Sequence, residues 1–192
     1  MDRDVPLNDV LFRARSGSPE AYAEIWRRLS PSVGGFVRSR GSREPDDLTS
    51  EVFLAAFRAL PSFVGGEREF RGLVFTIAKR RLVDEFRRRG RRPIELPWSA
   101  ETDHRSAISA EQAALQVHGT HEAAALLRGL APDQRDVLEL RILGDLTVDQ
   151  IAAVLHKSPG AVKALQRRGL ESLRRKLEPS GRAPIAPQIE GR

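Results

Sequence analysis

The chain has 192 residues, room for one domain or two small ones, with 40% apolar residues and a formal net charge of +6. It contains no cysteine, which excludes a disulfide framework, a thiolate metal site and a thiol nucleophile. No apolar run approaches membrane-spanning length and no charged-then-apolar signal segment opens the chain, so no membrane insertion and a cytoplasmic location are expected; the excess of Lys and Arg favours a polyanionic partner, nucleic acid first.

Residues 7–92 carry helical periodicity. Ser18-Pro19-Glu20 is a helix start: a hydroxyl cap, Pro in the first turn, then an acid. Tyr22, Ile25, Trp26 and Leu29 follow at helical spacing, and Pro31 with Gly34-Gly35 is expected to weaken this helix or start another ending near Arg40. Pro45-Asp46-Asp47 opens the next helix, with acids where the macrodipole favours them. It carries two apolar stripes, Leu48/Val52/Ala55/Ala59 and Phe53/Phe57/Leu60, so it is either buried from both sides or docked on a partner. Pro61 stops it, and residues 62–66 form a loop containing Phe63. A further helix is predicted over 70–89. Phe75, Ala78, Leu82 and Phe86 face inward, Thr76, Arg80 and Arg87 sit opposite, and Lys79 and Asp84 lie on the flanks. It ends in a dense basic cluster around Arg87, Arg88 and Gly90.

Residues 93–120 show weak periodicity, two prolines and mixed charge, the composition of a flexible linker. Residues 121–178 are helical again. Pro132 introduces a helix with Leu138, Leu140 and Ile142. Thr147 caps the next one, and Gln150 can reach back to complete a capping box. Ile151, Ala152 and Leu155 face the core, with Ala152 small where two helices must approach. His156 falls in the turn, where a left-handed backbone is expected. Ser158-Pro159 starts the last helix, with Val162, Leu165, Gly169 and Leu173 inward and Lys163, Arg167, Arg168 and Arg174 outward or at the edge. Cap, turn, small residue and basic outer face together make a helix-turn-helix that can enter a DNA major groove. Residues 179–192 have a disordered composition, and the final Ile189-Glu190-Gly191-Arg192 has the look of a protease-cleavage tag.

The motifs, in this order, resemble the extracytoplasmic-function (ECF) sigma factors of the bacterial sigma-70 family. Residues 46–58, DDLTSEVFLAAFR, resemble region 2.2; residues 70–84, FRGLVFTIAKRRLVD, resemble regions 2.3 and 2.4; residues 130–173 resemble region 4. Ser50 stands where Gln is common, Leu73 where Trp is frequent and Arg80 where Asn is frequent; Leu165-Gln166 departs from a common polar-then-apolar pair. The resemblance implies an all-α fold of two small helical domains, a region 2 bundle over 7–92 and a region 4 helix-turn-helix over 121–178, joined by the linker. It implies two partners: core RNA polymerase, through its beta-prime clamp and beta flap, and promoter DNA. An anti-sigma factor is a third, since members of the family are often held by one.

It also assigns residues. Ser158, Lys163, Gln166, Arg167 and Arg168 are expected at the −35 element, and Phe63, Thr76, Lys79, Arg80, Arg87 and Arg88 at the −10 element. Asp47, Glu51, Phe53, Phe57 and Arg58 are expected to meet the polymerase. Each basic residue on phosphate adds salt-sensitive affinity, and an exposed aromatic gives an unstacked base a π surface. The alternative is a helix-turn-helix regulator that binds duplex DNA without being a polymerase subunit. Such a chain carries a receiver or ligand pocket with βα alternation, which this sequence lacks; a structural or RNA-binding helical protein is a third reading. No phosphate loop, nucleotide fingerprint or catalytic triad spacing appears, and the polar setting of His118-x-x-His121 argues against a metal site, so neither enzyme activity nor a cofactor is expected.

Overall fold

The computed structural model describes residues 5–90 and 127–177, and these form seven α-helices joined by turns. The expected linker, the His118/His121 pair and the C-terminal tail lie outside the described residues. Helix α1 (Leu7–Arg15) buries Leu7, Val10, Leu11 and Ala14, one stripe at helical spacing, and Gly17 at φ 85° then lets the chain turn back. Helix α2 (Pro19–Ser39) starts on Ser18, whose Oγ accepts from the Ala21 N–H at 3.3 Å.

Helix α2 does not break at Pro31 or at the glycine pair. An internal proline costs about 3 kcal/mol through a lost hydrogen bond and a ring clash. Pro31 is on the exposed face, however, while Ile25, Leu29, Val33, Phe36 and Val37 keep one continuous buried face across it. At about 1.5–3 kcal/mol per fully buried large apolar side chain, that packing outweighs the local cost. Gly34 sits where α2 meets Thr49, and a Cβ there would lie 3.6 Å from the Thr49 hydroxyl oxygen.

Helix α3 (Pro45–Ala59) has Pro in its first turn followed by Asp46 and Asp47, and a short 3-10 turn, Leu60–Ser62, ends it. Helix α4 (Glu67–Arg88) begins three residues before the expected start. Glu67, Arg68 and Glu69 carry no apolar periodicity, but the Glu69 carboxylate accepts the Gly66 N–H at 2.8 Å and secures the first turn. Its own N–H and that of Gly66 hold the Glu69 carboxyl below its ordinary pKa.

Helices α5 (Pro132–Ile142), α6 (Val148–Leu155) and α7 (Pro159–Leu177) make the second unit. Gly169 lets α7 approach α5, since a Cβ there would meet Leu138 Cδ1 at 2.9 Å. The second unit keeps a small cluster of its own, Leu127, Leu130 and Leu138, but the larger core is shared. One continuous apolar cluster runs from Val10 and Leu11 through Phe36, Phe53 and Phe75 to Leu140, Ile151 and Val162. Gly144, in the α5–α6 turn, comes beneath Phe75, where a Cβ would be 3.3 Å from Phe75 Cε2. No described helix is long and apolar enough to cross a membrane.

Candidate nucleic-acid interface

The second unit presents its basic helix through three local devices. The Thr147 hydroxyl oxygen accepts from the Gln150 N–H at 3.3 Å, while the Gln150 side-chain oxygen accepts from the Thr147 N–H at 2.9 Å. His156 takes the left-handed conformation, φ 53° and ψ 44°, which turns the chain sharply as α6 ends. The Ser158 oxygen then accepts from the Ala161 N–H at 3.2 Å, and Pro159 starts α7. With Val162 and Gly169 buried, Ser158, Lys163, Arg167 and Arg168 are left exposed on α7 and Gln166 half-exposed. Arg167 has a loose ion pair with Glu171 at 3.9 Å, and Arg168 donates to its own helix at Ala164 O, 3.3 Å away. This face therefore reaches solvent largely uncommitted.

A second basic surface runs along α4. Its 22 residues span about 33 Å, and the expected −10 residues that it carries lie between Thr76 and its C-terminal end at Arg88. Phe63 precedes it, with its ring edge-on to Phe70 at 5.6 Å and the Arg15 guanidinium 5.7 Å from the ring centroid. Phe63 is thus half-buried rather than a bare stacking platform. Thr76 is exposed, and its hydroxyl donates to Gly72 O at 2.7 Å. Arg80, Arg87 and Arg88 are exposed. Lys79 is not: its ammonium donates to Val154 O of α6 at 3.3 Å. Burial lowers its pKa, with Asp136 and Asp133 pulling the other way.

Comparison with known proteins identifies the two units that carry these surfaces. The family model described as sigma-70 region 2 matches residues 25–92, and that described as sigma-70 region 4 matches residues 126–175. The ECF RNA polymerase sigma factor ShbA of Streptomyces griseus is 32% identical over 90% of this chain and 96% of its own length. BldN of Streptomyces coelicolor is 30% identical over 92% of this chain and 67% of its own. SigD of Mycobacterium tuberculosis H37Rv is 31% identical over 91% of this chain and 85% of its own. The chain belongs to the sigma-70 family, as an ECF sigma factor. In fold it is similar to CnrH as found in complex with the cytosolic domain of CnrY, at a TM-score of 0.60 and 24% identity over 91% of this chain and 98% of that one. Sigma factors are non-catalytic transcription initiation factors, and the reading as a stand-alone helix-turn-helix regulator is not favoured.

On helix α3 the residue pattern of this sigma factor needs correction. Phe53 is 1% exposed, edge-on to Trp26 at 4.8 Å, and has no surface with which to meet a polymerase. Phe57 is half-buried against Tyr22 at 4.9 Å. The reason is geometric: both point toward α2, so the second stripe is core. The exposed stripe is Asp47, Glu51, Leu54 and Arg58, at successive spacings of four, three and four residues. Leu54, 52% exposed among these charges, is missing from the residues expected at the polymerase. Its signal was present: it lies three after Glu51 and four before Arg58. Glu51 also accepts from Arg81 of α4 at 3.2 Å, which ties the stripe to the basic helix.

Proposed function

We propose that this sigma factor divides promoter recognition between its two units and that polymerase supplies all the chemistry. Helix α7 enters the major groove of the −35 element. Lys163, Gln166, Arg167 and Arg168 meet base edges or phosphates, and Ser158 offers a hydroxyl at the helix start. The −10 strand is taken by α4, with Thr76, Lys79 and Arg80 near its centre, Arg87 and Arg88 on phosphates at its end, and Phe63 at its beginning. The Asp47/Glu51/Leu54/Arg58 stripe of α3 docks on the beta-prime clamp, and the second unit reaches the beta flap. The protein works in the cytoplasm, has no enzymatic activity and needs no cofactor. An anti-sigma factor is a further partner.

The observation that carries this reading is the capped turn between α6 and α7. It leaves a row of cations exposed on a helix whose other face is packed. The relatives' shared description as ECF RNA polymerase sigma factors supports the division of labour.

The test is reconstitution with core RNA polymerase of Streptomyces coelicolor on a library of promoter fragments. Initiation is expected at a subset that shares two sequence elements. Absence of any specific start site, with retained binding to free duplex DNA, would overturn the proposal in favour of a regulator.

A further inference from the structure

Helix α1 reaches the loop between α3 and α4 at two points. Asn8 and Arg15 stand about two turns apart along one side of α1. Asn8 Oδ1 accepts from the Glu67 N–H at 2.6 Å, and the Arg15 guanidinium donates from Nη2 to Gly65 O. The helix itself is firmly seated. Its other side buries Leu7, Val10, Leu11 and Ala14, and Arg28 of α2 donates to Val5 O at 2.7 Å just before α1 begins.

Residues 63–66 have few devices of their own to fix their shape. Gly66 stands at the start of α4 with no side chain to cap it, so Asn8 supplies from another helix an oxygen that the local sequence lacks. A Cβ on Gly66 would lie 2.9 Å from Asn8 Oδ1, so the bare glycine is what admits Asn8. Gly65 takes φ 146°, and a Cβ there would lie 2.8 Å from Glu69 Cβ and 3.0 Å from Phe63 Cζ. Phe63 is tucked between Phe70 and the Arg15 guanidinium, while Val64, next to it, is 92% exposed. Arg15 pairs with no carboxylate among the described residues, and its Nε is buried without a hydrogen-bond partner. A guanidinium kept half-buried for one carbonyl and one ring face weakens the fold more than it helps it, which fits a group retained for the shape of the loop.

We propose that α1 is a brace for this loop, with Asn8 and Arg15 as positioning residues, and that the brace governs which −10 sequences this sigma factor accepts. The proposal rests on the reading of Phe63 and α4 as the −10 surface. Neither Asn8 nor Arg15 touches DNA; each acts through the loop backbone. A loop held in one shape discriminates between bases by how well each fits, whereas a slack loop adapts to several. Loss of the brace therefore lowers preference more than it lowers initiation.

The test takes one promoter active with Streptomyces coelicolor core polymerase, randomises its −10 element and sequences the transcripts. Arg15→Ala and Asn8→Ala should flatten base preference at the same one or two positions, at least threefold in the ratio of best to second-best base. Discrimination between matched and mismatched −35 elements should not change. Gly65→Ala, which deforms the loop directly, should alter those same −10 positions. Asn8→Asp keeps an acceptor oxygen and should keep the wild-type preference. Arg13→Ala removes an equal charge from the opposite side of α1 and should keep it too. These ratios are internal to each preparation, so a fraction of unfolded protein does not move them. Full wild-type preference in Arg15→Ala and Asn8→Ala would overturn the brace and leave the sigma reading intact. An equal change in Arg13→Ala would trace the effect to charge and overturn it as well. A uniform loss over all sequences, with a salt slope smaller by about one, would make Arg15 a phosphate contact and overturn its positioning role. Wild-type protein that initiates nowhere would overturn both readings.

Discussion

Arg167 projects from α7 with 76% of its side chain exposed, and its contact with Glu171 is 3.9 Å long. An exposed pair of that kind contributes at most about 1 kcal/mol, so the guanidinium reaches a partner almost unopposed. If it forks onto a base edge, Arg167→Ala should weaken binding of a cognate −35 duplex by about 1–3 kcal/mol while leaving the unfolding midpoint unchanged. Arg167→Lys discriminates the contacts. Loss of sequence preference with an unchanged salt slope marks a base contact, and retained preference marks phosphate alone. Fluorescence anisotropy of holoenzyme on matched and mismatched duplexes at two salt concentrations reads both. Phe53 and Leu54 make the complementary pair on α3. Phe53→Ala empties a fully packed site and should cost about 3–5 kcal/mol of stability, with polymerase affinity per folded molecule unchanged. Leu54→Ala on the exposed stripe should do the reverse, lowering polymerase affinity at constant stability. Denaturation curves beside pull-down titrations separate the two, and equal effects on both quantities would refute the assignment of faces.

Helix ends were the most legible elements, because a cap is a local event. Ser18-Pro19, Thr147 with Gln150, the left-handed His156 and Ser158-Pro159 all lie where their side-chain chemistry puts them. The course of α2 through Pro31 was not legible. What sustains it is packing against α1 and α3, and no window around Pro31 contains those partners. The faces of α3 failed for a similar reason: a helix with two apolar stripes does not say which of them another helix covers. Close helix approach sits between these cases, since a small residue is visible in sequence but its neighbour is not. Gly169 and Gly160, both in α7, make the difference measurable. Gly→Ala in a helix gains up to about 1 kcal/mol from propensity alone. At Gly160 nothing lies within 4 Å of the new Cβ, so Gly160→Ala should stabilise by a few tenths to about 1 kcal/mol. At Gly169 the Cβ would meet Leu138 Cδ1 at 2.9 Å, and Leu138 is 1% exposed with nowhere to move. Overpacking of about 1–3 kcal/mol then cancels or exceeds the gain, so Gly169→Ala should be neutral or destabilising. Urea titration checks the order, and equal stabilisation by both would mean that α5 and α7 are looser than this packing.

The junction between the units was hidden from sequence because its partners lie far apart along the chain: Arg40 and Glu139 are separated by 99 residues. Arg135 and Glu139, four apart on one helix, read in isolation as an ordinary surface pair, yet they are 3% and 0% exposed. The expectation of two units on a linker therefore carried the right elements without the contact between them. The continuous core and the Arg40 network make unfolding a property of both units together, so wild-type protein should lose its helices in a single cooperative transition. Two substitutions in the same network should then behave differently. Glu139→Ala removes the buried carboxylate that pairs with Arg135 whether the units are joined or apart, and should cost about 3–5 kcal/mol and lower the stability of the second unit itself. Arg40→Ala removes a charge that bridges the junction and otherwise lies only over the Phe36 ring of the first unit, 5.3 Å from its centroid. Within the second unit Glu139 keeps Arg135, so that unit retains its own stability while its coupling to the first falls. Thermal unfolding followed by circular dichroism should therefore shift to clearly lower temperature in Glu139→Ala, and should broaden or split in Arg40→Ala with the second unit's own melting retained. A sharp single transition for Arg40→Ala, at the wild-type midpoint, would mean that the apolar contact beneath Phe75 holds the units together and that the ion pairs merely decorate it.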